Sequence, residues 1–102
     1  MIDWDRVAEL QAELGEEDFI EVGGMFVAEM ESRLQEMSEA AQQDAADFHY
    51  LRGSAANLGL QEFAQVCADA EASARAGSAV DLASLELSLR RALDEIGDLF
   101  AS

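Results

Sequence analysis

Residues 48–59 read FHYLRGSAANLG. They contain His49, the single histidine of a 102-residue chain, followed by Arg52 and Gly53. Each residue of an α-helix turns the side-chain direction by about 100°. On that wheel Phe48, Leu51, Ala55 and Leu58 fall within about 80° of one another, centred more than about 130° from His49. The stretch therefore predicts a helix with one core stripe and a histidine on the opposite side. The phase excludes a core position for the imidazole.

The neighbours of His49 on its own face are the residues at i−4, i−3, i+3, i+4 and i+7. They are Ala45, Ala46, Arg52, Gly53 and Ala56. An exposed helical face normally carries long charged side chains. Here the local positions are three alanines, a glycine and an arginine, with no carboxylate among them. The imidazole is expected to stand on a shallow clearing that another protein's backbone can approach. Gly53 lowers helix stability and removes the Cβ where that approach is closest.

The same periodicity extends outward in both directions. Residues 3–14 form a short helix with Asp3 as N-cap, Val7, Leu10 and Leu14 as its apolar stripe, and Gly15 as its stop. Residues 16–43 form a long helix, acidic in its first turn. Its stripe is Phe19, Val22, Phe26, Met30, Leu34, Met37 and Ala41, and Gly23 and Gly24 inside it imply close packing or a bend. The histidine helix covers 44–59. Another helix over 60–76 carries Leu60, Phe63, Cys67, Ala70 and Ala74, with Arg75 and Gly77 marking its end. The last, over 81–100, presents Leu82, Leu85, Leu89, Leu93, Ile96 and Phe100. Short connections between long amphipathic helices predict an all-α fold: an antiparallel up-and-down four-helix bundle with a short additional N-terminal helix, as one domain over residues 1–102.

Composition agrees. Half of the residues are hydrophobic and there is no proline. No apolar run is long enough to span a membrane. No basic-then-apolar leader opens the sequence, so a cytoplasmic location is the simplest expectation. Net charge is −16, with 22 acidic residues against six arginines. Such a chain repels nucleic acid and anionic membranes. The acidity serves solubility, or selects partners by repelling anionic ones.

One histidine and one cysteine cannot form a metal cluster or a disulfide within the chain. Ser54 has no second histidine as a distant base, and a hydrogen bond within its helix is its expected role. Cys67 lies on an apolar stripe. Trp4, Ile2 and the Met25/Met30 region are either core or an extension of a docking surface. No glycine-rich nucleotide loop is present, so the chain is not expected to be a stand-alone kinase. A neutral imidazole is a good nucleophile near neutral pH, and a cation one turn away suits an incoming dianion. These residues suit a histidine that accepts a phosphoryl group and passes it on.

HYLRGSAANLG, residues 49–59, resembles the signature of histidine phosphotransfer (HPt) domains, H-x-L-K-G-S-x-x-x-[LIM]-G. His49, Leu51, Gly53, Ser54, Leu58 and Gly59 match it, and Arg52 takes the lysine position. LGEEDFIEVGGMFVAEM, residues 14–30, is similar to the family's first bundle helix, and CADAEASARAG, residues 67–77, to its C-x-x-L-E segment. The resemblance implies a monomeric phosphorelay protein. His49 would take a phosphoryl group from an aspartate of one receiver domain, on a hybrid histidine kinase or response regulator, and pass it to another. It also implies phosphorylation at Nε2, with Glu71 orienting the other ring nitrogen; an ordinary surface carboxylate is the competing role for Glu71. No cofactor is implied on this chain, and the Mg²⁺ that assists transfer belongs to the receiver. Two departures stand out. Arginine for lysine replaces a point charge by a planar fork, and Phe48 stands where the family often has alanine. A non-catalytic bundle that regulates a kinase or receiver by docking alone is the alternative reading.

Overall fold

The computed structural model describes residues 1–40, 43–97 and 99. Among these, five helices follow in order: α1 (Trp4–Leu14), α2 (Glu16–Glu39), α3 (Ala45–Asn57), α4 (Gln61–Arg75) and α5 (Leu82–Ile96). Helix α2 packs on α3, α3 on α4, α4 on α5, and α5 returns to α2. That closed ring is the four-helix bundle, and α1 lies against α2. With 24 residues at about 1.5 Å rise each, α2 accounts for most of the 41 Å long axis. The α3–α4 pair has the most extensive contact of any in the bundle.

Local chemistry starts three of the helices. The side chains of Asp3, Asp44 and Asp81 accept from the backbone N–H groups of Arg6, Ala46 and Ala83, which have no partner inside their helices. The expected stripes meet in one core. Phe19, Met30, Phe48, Leu51, Ala55, Leu58, Leu60, Phe63 and Cys67 are all buried. Burial of Gly23 agrees with close packing at that glycine, and α2 runs unbroken through it. Ile2 and Met30 belong to the core, whereas Trp4 and Met25 are exposed. Ser54, expected to bond within its helix, is a buried residue of α3.

Two boundaries differ from the sequence expectation. Helix α2 ends at Glu39, not near residue 43, because Ala40 turns to extended backbone with ψ 146°. The chain has to leave the helical path there to present Asp44 as the extended cap of α3. Nothing in residues 40–44 punctuates the helix with glycine or proline, so periodicity alone carried the expectation too far. Helix α5 ends at Ile96, and Gly97 follows with φ 71°. The stripe positions assigned to Ala41 and Phe100 lie outside the described residues.

Helix α3 is fixed from both sides. On the α2 side, Arg33 pairs with Asp47 at 2.8 Å and stacks 4.3 Å from the Tyr50 ring centroid, while Tyr50 Oη donates to Glu29. At the other end, Asp3 N–H donates to the Gly59 carbonyl at 2.8 Å, and Arg6 Nε donates to the Asn57 carbonyl. Gly59 has φ +80°, and a Cβ there would lie 2.8 Å from the Asp3 carbonyl oxygen. Glycine is required by both the backbone conformation and the close approach.

Candidate functional site

Burial of Phe48, Leu51, Ala55 and Leu58 points the opposite side of α3 at solvent. His49 stands there with its side chain 61% exposed. Ala46, Gly53 and Ala56 around it are exposed, and Ala45 is half-buried. A Cβ built on Gly53 would meet nothing within 4 Å. No internal contact therefore requires glycine at that position. Beside Arg52 and Ala56, a groove of about 350 Å³ runs between α3 and α4, lined also by Gly59, Ala64 and Ala68.

Helix α4 brings a carboxylate to the clearing that α3 itself lacks. Glu71 follows Ala70 on the buried stripe, and its side chain is only 10% exposed. Its Oε2 lies 3.3 Å from His49 Nδ1 and accepts a 2.7 Å hydrogen bond from Arg75 Nη2. Its Oε1 lies 3.3 Å from Arg52 Nε. Arg52 Nη2 lies 2.8 Å from His49 Nδ1. Burial by itself pushes the Glu71 carboxyl up; the Arg75 hydrogen bond, the Arg52 charge and the His49 contact outweigh it and hold the carboxyl below its ordinary value. Glu71 is thus a buried carboxylate between two guanidinium groups and an imidazole, not an ordinary surface acid.

An exposed histidine thus stands beside a guanidinium and above a buried carboxylate, an arrangement chemically able to take up a phosphoryl group. The Hpt domain profile matches residues 21–99. The chain belongs to the Hpt domain family. Hpt domains perform histidine phosphotransfer in phosphorelays and interact with receiver domains of kinases and response regulators. No curated protein and no solved structure matches the chain significantly. Helix α1 precedes the matched segment of this Hpt domain.

All four residues singled out for chemistry, His49, Arg52, Gly53 and Glu71, meet on one surface formed by α3 and α4. Arg75 joins this surface as well. From the sequence it reads as a helix C-terminal signal, yet it donates to Glu71 one turn away. The i,i+4 spacing of Glu71 and Arg75 was the available sign of that pair. Cys67 takes no part: it is buried, and burial pushes its thiol up to about 12. Among the described residues no helix is long and apolar enough to cross a membrane.

Proposed function

We propose that His49 of this Hpt domain accepts a phosphoryl group from the aspartate of one receiver domain and delivers it to the aspartate of another. The observation that carries this reading is the exposed imidazole on a face of small side chains, with open space over Gly53. A receiver's aspartyl phosphate lies in a cleft, so the nucleophile must reach it without long neighbours intervening. The bundle supplies position and electrostatics, which dominate phosphoryl transfer.

In this reading Nε2 attacks phosphorus in line with the departing aspartate carboxylate. Glu71 accepts a hydrogen bond from Nδ1–H and stabilises the positive charge that develops on the ring. Arg52, partly exposed at the surface, faces the phosphoryl oxygens and offers a planar fork of donors. Metal assistance comes from the receiver, and turnover requires both partners.

The test is labelling by a receiver charged with acetyl phosphate or by its kinase. The expected product is an acid-labile, base-stable phosphate on this chain. His49→Gln is expected to abolish it while circular dichroism still reports a folded bundle. Labelling that persists in His49→Gln would sink the assignment.

A further inference from the structure

One ring nitrogen of His49 is claimed twice. Arg52 Nη2 approaches Nδ1 at 2.8 Å, and Glu71 Oε2 approaches the same atom at 3.3 Å. A neutral imidazole carries one ring proton. With the proton on Nδ1, the ring donates to Glu71 and confronts a guanidinium donor at 2.8 Å. With Nδ1 bare, it accepts from Arg52 and faces a carboxylate oxygen at the longer distance. The 2.8 Å contact has the length of a charge-assisted hydrogen bond, whereas 3.3 Å lies beyond the usual range. Glu71 does not depend on the ring proton, because Arg75 holds Oε2 at 2.7 Å and Arg52 Nε borders Oε1.

We propose that Arg52 latches resting His49 in the tautomer with its proton on Nε2, masking the nucleophilic nitrogen until an arriving dianion draws the guanidinium away. The latch rests on the phosphotransfer reading for its purpose. It is built within one turn of α3, so it assembles without a partner. The Arg52 side chain is 42% exposed and Glu71 only 10%, so of the two groups at Nδ1 the arginine is the one open to an incoming phosphate.

Release has a balanced course. When Arg52 turns to the phosphoryl oxygens, Nε2 gives its proton to water and Nδ1 takes one from water. The Nδ1–H then donates to Glu71. The Nε2 lone pair forms the N–P bond as the P–O bond to the donor aspartate breaks, and that bond's electron pair leaves with the carboxylate. The Nδ1 proton stays on the ring. A small phosphodonor that does not engage Arg52 meets a masked nitrogen, so the latch favours docked receivers.

A single histidine makes the test direct. Protein labelled with ¹⁵N in the imidazole is examined by long-range ¹H–¹⁵N spectroscopy above about pH 8, where a reference imidazole is neutral. The wild-type protein is expected to show predominantly Nε2–H. Arg52→Ala should shift the Nε2–H to Nδ1–H ratio toward Nδ1–H by about tenfold or more, the equivalent of one lost charge-assisted hydrogen bond. Arg52→Lys, which keeps a donor, should fall between them, and Glu71→Gln should keep the wild-type tautomer. A wild-type ring already protonated on Nδ1 overturns the proposal without any variant. So does an unchanged ratio in folded Arg52→Ala. The measurement needs no partner. A failure of His49 to take phosphate would therefore leave the tautomer result standing, and a failed latch would leave the labelling result standing.

Discussion

Gly53 occupies open space one turn after His49, where an ordinary residue would strengthen the helix. Gly53→Gln is expected to stabilise the bundle by about 0.5 kcal/mol through helix propensity. The same change should slow phosphotransfer about tenfold or more, which corresponds to about 1.4 kcal/mol of lost approach. Urea midpoints and single-turnover transfer from a phosphorylated receiver measure the two effects separately. Equal transfer rates would remove the proposed role for the glycine. Glu71 permits a pH experiment. Its folded-state carboxyl is held below the ordinary value by its cationic neighbours, against the opposing effect of burial. Such a group stabilises the fold fully above the unfolded value near about 4.3, and that contribution is lost as pH falls through the lower folded value. The stability gap between wild type and Glu71→Gln should therefore be widest near neutral pH and shrink as pH falls below the unfolded value. A gap independent of pH would mean that Glu71 acts through shape alone.

At the level of elements, α3 is positioned by its ends as much as by its stripe. Asp44 caps its start, Arg33 from α2 holds Asp47 and Tyr50, and the first residues of the chain lie across the α3–α4 turn at Gly59. Gly59→Ala forces a side chain onto φ +80° and toward a backbone oxygen 2.8 Å away. The expected loss is about 1–3 kcal/mol of stability. It should come with faster hydrogen exchange at the Val7 amide, which donates to the Asp3 carbonyl in the first turn of α1. Urea unfolding and amide exchange check this. An unchanged Val7 amide in a destabilised variant would show that the turn yields instead of α1. The phase of α3 is less sensitive to such changes. Four buried side chains on one face oppose any rotation that would swing His49 inward.

Across the whole molecule, the bundle keeps its two reactive side-chain types apart. Cys67 sits in the core with its thiol pushed up to about 12, while His49 stands on the surface. The thiolate is the reacting form, so native protein at pH 8 should be inert to a thiol reagent such as an aromatic disulfide. Modification should appear only with unfolding and follow the same urea midpoint as circular dichroism. A fast reaction without denaturant would show that the α4 core opens locally. The net charge of −16 spreads over the same molecule. Arg52 and Arg75, two of its six arginines, converge on Glu71 beside the histidine.

The order and faces of the helices were readable in the linear chain because a 3.6-residue period and aspartate caps are local properties. Phe48, Leu51, Ala55 and Leu58 place His49 outward whatever they pack against. Which α3 residues surround His49 was readable for the same reason, since i±3 and i±4 neighbours are set by helix geometry alone. The end of α2 was not, because stopping that helix depends on where the next element must begin; at α5 the local stop signal was present in Gly97, and the apolar stripe continuing to Phe100 ran past it. The state of Glu71 was not readable either. A carboxylate 22 residues from the histidine can be matched to a family pattern, but its burial and its contact with Nδ1 arise only when α4 packs on α3. The Arg75–Glu71 and Arg52–His49 contacts are local, at i,i+4 and i,i+3 spacing, but their convergence on one carboxylate and one ring nitrogen depends on that same packing, because contacts between helices are set by tertiary distance and not by spacing along the chain.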